Sequence, residues 1–274
     1  MSGRWQAAVV AFLGIPVVSQ AVVGLVLLRC RMFDGTLILL ALLVPIFILA
    51  MLFEFKGLVL LLPQILMGLL IFGGALLLRY SRSWSLTLAV TTIGGTLGAA
   101  LIRFFIVPSE DLLAMAETMA VNGQGNTAFV DALAQVPIDD AYAGMMGLMV
   151  AIFSGASLIL ARWWQSLLYN PGGFQHEFHA LRIEPKLVLL CALVQLAYSA
   201  MSGLGVGLGM LLIPLFFGGL GFIHWWSASR NIAFVPWVVY LLLVLSPALA
   251  IFIAALGLLD SAFNLRKRFN SMQR

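Results

Sequence analysis

Polar residues are scarce along this chain and fall in the gaps between long apolar runs, of which Leu37 to Phe53, Gly57 to Leu78 and Leu187 to Met201 are the cleanest. Such runs are too long for barrel strands, and only structures that close their own backbone hydrogen bonds cross lipid. The pattern therefore predicts an all-α, polytopic transmembrane bundle. Segment one, Trp5 to Leu28, is interrupted at Gly14-Ile15-Pro16 and is expected to kink or split there. Segments two, Thr36 to Phe53 with Pro45 inside, and three, Gly57 to Leu78 with Pro63 inside, are separated by only Glu54, Phe55 and Lys56, so they read as an antiparallel hairpin. Segment four, Trp84 to Val107, carries Gly94 and Gly98 at a spacing that permits close helix approach.

Pro108 to Asp140 breaks the rhythm. It holds Glu110, Asp111, Glu117, Asp131, Asp139 and Asp140 without a lysine or arginine. We read it as an acidic extramembrane insertion with two short amphipathic helices, one starting at Ser109 and one near Phe129 to Gln135. Segment five is Ala141 to Ala161, followed by a polar loop from Arg162 to Lys186. Leu187 to Trp226 is long enough for two crossings broken at Gly203 to Gly209, and segment eight, Val235 to Leu259, leads into the basic tail Arg266-Lys267-Arg268. The division is 1–107 with helices one to four, 108–140 as the insertion, and 141–274 with helices five to eight.

Composition reinforces the class: 62% of residues are hydrophobic and 9% charged, where soluble domains are about 25% charged. The net charge of +4 comes from cations set singly or in pairs at segment ends, the chemistry of membrane orientation and not of a nucleic-acid patch. Orientation is divided. Placing Arg29, Arg31, Arg79, Arg82, Arg162, Arg182, Lys186 and Arg230 in the cytoplasm puts the acidic insertion outside, but eight crossings then put the basic tail outside as well. Either the count is off by one after Lys186, or the tail is an interfacial helix on the outer face. Cys30 and Cys191 lie in or beside apolar runs, far apart, and imply no disulfide framework. Arg4 precedes an apolar stretch longer than a signal-peptide core, which reads as a retained anchor.

The loop after segment five is the most distinctive polar stretch. Trp163 and Trp164 suit an interface, Asn170-Pro171-Gly172-Gly173 must end a helix and turn sharply, and Phe174, Glu177, Phe178 and Arg182 suit a second amphipathic helix. The plain reading is helix, turn and helix. The functional reading is a coupling element whose Arg162, Glu177 and Arg182 contact a partner or a lipid headgroup. His176, Glu177 and His179 cluster but lack the H-E-x-x-H spacing and a further ligand, so no metal is expected. His224, beside Trp225 and Trp226, reads as an interfacial histidine.

Within the segments, Arg103 is the single formal charge. It is expected to snorkel toward the insertion or to pair with Glu110 or Asp111. Gln20, Gln64, Gln195, Tyr198 and Ser199 are the chief other intramembrane polar groups, and no buried carboxylate stands out as a proton carrier. The glycines at 203, 205, 207 and 209 have no strand before them and no acidic ribose partner after them, so they read as a helix break and not a phosphate loop. No Ser/His/Asp set, Cys/His pair or catalytic carboxylate pair shares a segment, which predicts a non-enzyme without a cofactor.

The run Asn170-Pro171-Gly172-Gly173-Phe174, with Glu177-Phe178 and Leu181-Arg182 after it, resembles the signature loop of the YybS-like family of bacterial inner-membrane proteins. The segment pattern is similar along most of the chain. The resemblance implies a multi-pass protein of the bacterial inner membrane, with a fold distantly similar to the S components of energy-coupling-factor vitamin transporters and to the rod-shape protein MreD. The acidic insertion is not an S-component feature, and no vitamin-binding residue maps onto this sequence. Two roles follow as expectations. In the first, the protein binds a small molecule or lipid in a cavity lined by Gln64, Gln195, Tyr198 and Arg103, as the substrate-recognition part of a transporter. In the second, it is a scaffold with a filled interior that docks a membrane-protein partner through the Trp163 to Arg182 loop.

Overall fold

The computed structural model describes residues 3–15, 17–52, 57–105, 138–202 and 206–271. Every element among them is helical: α1 (Gly3–Phe12), α2 (Val18–Arg29), α3 (Met32–Leu52), α4 (Gly57–Ser81), α5 (Trp84–Phe105), α6 (Ile138–Tyr169), α7 (Gly173–Ala180), α8 (Pro185–Ser202), α9 (Val206–Ser229), α10 (Val235–Leu245), α11 (Leu249–Phe263) and α12 (Leu265–Ser271). Four helical stretches, Leu61–Ser81, Trp84–Phe105, Asp140–Tyr169 and Gly209–Ser229, are long and apolar enough to cross a membrane. The chain is a helical membrane protein. The acidic insertion falls almost wholly outside the described residues, apart from the first turn of α6.

The first segment divides where its glycine and proline predict. The Ser19 hydroxyl donates to the Val10 carbonyl at 2.8 Å, so α2 doubles back against α1. Helix α6 is the hub of the bundle, packed by α2, α4, α5 and α9. Its closest approach is to α5, where a Cβ added at Gly95 would lie 2.6 Å from Ala151 Cβ and one at Gly147 would lie 2.6 Å from Ala99 Cβ. Gly94 and Gly98 instead face the Leu70 and Leu66 side chains of α4. The small-residue seam therefore sits one position along from the Gly94/Gly98 pair, because a single residue turns the helix face by about 100°.

The expected eighth segment is two helices. Ser246-Pro247-Ala248 interrupts it, and α11 then packs against α9 in the same direction. A Cβ on Gly219 would strike the carbonyl of Ile253, and one on Gly257 would strike the carbonyl of Leu215. Because a helical Cβ points toward its own N-terminus, each glycine meeting the residue four positions back on the other helix requires parallel axes. Helix α10 runs back from the Arg230 end of α9, and α11 returns toward that same end. The basic tail consequently lies at the end of the bundle that carries Arg29, Arg31, Arg79, Arg82, Arg162, Arg182, Lys186 and Arg230.

Candidate functional site

The polar loop is built as a wedge on that basic face. Helix α6 ends because Pro171 cannot continue it and Gly172 takes a left-handed φ of 85°. The Ser166 hydroxyl donates to the Asn170 carbonyl at 2.8 Å and accepts from the Phe174 amide at 3.0 Å, closing the turn. Helix α7 then lies back across the bundle. Arg162 grips Glu177 in a two-point ion pair, with Nε donating to Oε2 at 2.9 Å and Nη2 to Oε1. Its Nη1 donates to Gln165 Oε1 at 2.5 Å, and Trp84 Nε1 donates to Glu177 Oε2 at 3.4 Å. Both charged side chains stay about a third exposed, so the pair contributes orientation more than energy.

Arg162 and Glu177 are engaged with each other, and Gln165 reaches on to the Leu28 carbonyl at 3.4 Å. The small cavity beside them, about 60 Å³, is lined by Arg162, Gln165, Ser166, Tyr169, Asn170 and Glu177 among others. It has room for a few waters and not for a metabolite, whose sites run to several hundred Å³. Arg29 stacks over the Tyr169 ring with its guanidinium carbon 3.1 Å from the centroid. Trp164 is half-buried against the core. Trp163, Asn170, Pro171 and Gly172 are exposed, and Gly173 and Arg182 are half-buried.

An aromatic ladder carries the wedge across the bundle. Trp84 meets Phe174 edge-on at 6.5 Å, Phe174 stacks on Phe178 at 5.4 Å, and Phe178 meets His224 edge-on at 5.1 Å. His224 Nε2 and the Tyr240 hydroxyl are 2.7 Å apart, which ties α9 to α10. His179 stands 6.4 Å from His224, ring to ring. Burial, then the neighbouring His176 and Arg266 charges, holds the His179 pKa below the usual histidine value. No group of three or more histidine, cysteine, aspartate or glutamate side chains arranged for a metal occurs among the described residues.

Arg266 fixes the tail to this wedge. Its Nε donates to Asp260 Oδ2 at 2.9 Å, its Nη2 to the Leu181 carbonyl at 2.5 Å and its Nη1 to the His179 carbonyl. Asp260 is 1% exposed and Arg266 9%. The neighbouring Ser261 hydroxyl donates to the Ile183 carbonyl at 2.7 Å, and the Glu184 amide donates to Ser85 Oγ at 2.8 Å. Sequence reasoning missed Asp260 because it falls one residue beyond the apolar run. An acid at a helix end with an arginine six positions on was the available signal.

On the opposite face Arg103 pairs with Asp140, Nε to Oδ1 at 2.5 Å, and donates from Nη1 to the Met201 carbonyl at 2.9 Å. Glu110 and Asp111, expected as its partners, lie outside the described residues. Asp140 and Asp260 are buried carboxylates, and so is Asp34 in α3. Gln195 donates to Thr96 Oγ1 at 2.5 Å, and Thr96 donates to the Thr92 carbonyl at 3.0 Å. Tyr198, one turn on from Gln195, packs with Ala99 and Met210. Gln64 is elsewhere: it accepts from Gln20 Nε2 at 3.4 Å, near the turn between α1 and α2. The structure thus brings Gln195 and Tyr198 to one α5/α8/α9 seam with Arg103 at its end, and leaves Gln64 in a different part of the bundle.

The chain matches no family model, no curated protein and no solved structure.

Proposed function

We propose that this protein is a non-enzymatic, multi-pass component of the bacterial inner membrane that assembles with a protein partner through its basic face. The loop's likeness to the YybS-like family, and through it to MreD, favours that role. One observation carries the reading. From Asp140 to Arg162, α6 rises about 33 Å at 1.5 Å per residue, enough for a hydrocarbon core of about 30 Å. The remaining turns carry the helix about 10 Å farther, with Trp163, Leu167, Leu168 and Tyr169 all exposed. Arg162 and Glu177 tie this apolar end to α7, and it lies at the end of the bundle that carries Arg29, Arg31, Arg79 and Arg82. An apolar ridge among cations fits a partner with an apolar groove and an acidic rim.

In this reading α3, α4, α5, α6, α8 and α9 cross the membrane, and α10 with α11 forms a hairpin that enters and leaves on the basic side. The positive-inside bias assigns that side to the cytoplasm. A second reading, recognition of a small molecule or lipid, rests on Gln195 Oε1 and Ser199 Oγ, which are buried in the apolar interior and have no hydrogen-bond partner among the described residues. Such groups are costly in lipid unless something pairs with them.

Native mass spectrometry of the membrane-extracted protein separates the two. Leu167→Asn with Leu168→Asn abolishes a stoichiometric protein partner if the ridge docks it, while insertion and yield remain those of the parent. A partner retained by that double variant, together with a small molecule lost in Gln195→Leu, overturns the scaffold reading.

A further inference from the structure

We propose that the seam between α5 and α8 binds a small uncharged molecule with a hydrogen-bond donor, of the amide or alcohol class, at Gln195 and Ser199. This deepens the recognition reading above and rests on it, and it is independent of docking at the α6 ridge. Helix α8 lies at the edge of the bundle with its faces inverted: Leu189, Leu193 and Leu196 are exposed, whereas Cys191, Gln195 and Ser199, stacked at four-residue steps on one face, are buried. Only part of that polar face holds α8 to the bundle. Gln195 Nε2 donates to Thr96 Oγ1 at 2.5 Å, and the Cys191 thiol reaches the Ala89 carbonyl at a long 3.9 Å. Gln195 Oε1 and Ser199 Oγ have no hydrogen-bond partner among the described residues, although Gln195 is 0% and Ser199 3% exposed. Two enclosed polar groups one turn apart on the same face are costly unless something pairs with them.

Two bridges bound the site. The Thr96–Gln195 bond is its floor, with Met210 Sδ 3.5 Å from the Thr96 hydroxyl. At the end of the bundle opposite the basic face, Arg103 Nη1 donates to the Met201 carbonyl at 2.9 Å and closes the seam. Helix α8 rises about 9 Å from Gln195 to Met201, and α5 about 10 Å from Thr96 to Arg103, so both bridges span the same stretch and Ser199 lies between them. Arg103 is neutralised by Asp140, and neither helix carries a charged residue between its two bridge positions. An ion held there would be buried without a counter-charge, which selects a neutral molecule. Gln195 Oε1 only accepts, and the Ser199 hydroxyl accepts or donates, so the molecule must bring an N–H or O–H. Enclosure between helices keeps it to a few heavy atoms. Because α8 borders lipid and packs chiefly on α5 and α9, it admits such a molecule without disturbing the α6 hub.

The test is saturation-transfer NMR on the full chain in detergent, with acetamide, acetone, acetate and methylammonium as probes. The parent binds acetamide, and it binds acetone, which has no donor, and the two ions about 10-fold more weakly, the worth of a hydrogen bond. Gln195→Leu and Ser199→Ala each weaken acetamide binding about 10-fold by the same reasoning. Ser199 Oγ bonds to nothing among the described residues, so Ser199→Ala keeps the parent's melting temperature and decides the matter even if loss of the Thr96 bridge unfolds Gln195→Leu. Acetone bound as tightly as acetamide overturns the proposal, as does acetamide binding unchanged in Ser199→Ala, or no probe bound by the parent. The recognition reading fails separately. A charged or acyl-chain molecule retained in native mass spectrometry and lost in Gln195→Leu upholds recognition and overturns the ligand class, whereas no retained molecule and no bound probe overturn both.

Discussion

Gly219 on α9 and Gly257 on α11 stand at the same level of two parallel helices, so close that a Cβ on Gly257 would lie 2.8 Å from the Gly219 amide nitrogen and would strike the Leu215 carbonyl. Neither neighbour can yield, because both are backbone. Contact of this kind replaces the hydrophobic driving force that lipid does not supply between helices. It also places the end of α11 beside the end of α9, since α10 must run back before α11 can pack in parallel with α9.

Gly257→Ala therefore forces the two backbones apart. We expect a loss of about 1 to 3 kcal/mol, the usual range for overpacking. Thermal unfolding in detergent should show a lowered midpoint, whereas Gly73→Ala, at a position with open space around it, should leave the midpoint unchanged.

The hairpin formed by α10 and α11 predicts that Lys267 and Arg182 are accessible from the same side of the membrane, and Phe105, at the exposed end of α5, from the other. Single cysteines at these positions, in a chain with Cys30 and Cys191 replaced by serine and alanine, should label accordingly with a membrane-impermeant maleimide. Labelling of position 267 together with 105, and not with 182, would refute the parallel packing.

Removing the Arg266 side chain leaves Asp260 buried without its cation. For a buried pair this costs about 3 to 5 kcal/mol, and Arg266→Ala should release the tail to protease at low concentrations that leave the parent intact. Arg266→Lys should rescue only part of the loss, because a single ammonium cannot serve Asp260 and two carbonyls in the planar fan that the guanidinium provides.

His179 supplies the pH dependence. Its folded-state pKa is lowered, first by burial and then by His176 and Arg266, so the unfolded chain takes up the proton more readily than the folded one. Its contribution is fully favourable above the ordinary histidine value of about 6.5 and is lost as pH falls through and below it. Melting temperature should drop between pH 7.5 and 5.5, and His179→Gln should flatten that slope. A slope unchanged in the variant would assign it to other groups.

The helical membrane class was legible from the sequence because lipid acts locally: each apolar run must satisfy its own backbone, and each run shows this without reference to its neighbours. The break in the first segment and the sharp turn at Asn170 to Gly173 were legible for the same reason, since Pro and Gly restrict or free the chain at their own positions. The loop residues also read as a turn leading into a second helix, and α7 stands there; that it lies back on the bundle was not legible.

What the sequence left open depended on pairing across distance. Whether Arg162 and Glu177 are free or bound to each other, 15 positions apart, is settled by how α7 folds back. Arg103 finds Asp140 across 37 positions. The side on which the tail emerges was undecidable from charge, because Val235 to Leu259 has the length and hydropathy of a single crossing. The break at Ser246-Pro247-Ala248 makes it two helices, and the fit of Gly219 against Gly257 shows that the second runs parallel to α9. Backbone approach between distant helices carries no mark in local hydropathy, and in this protein that approach decides which charges share a face.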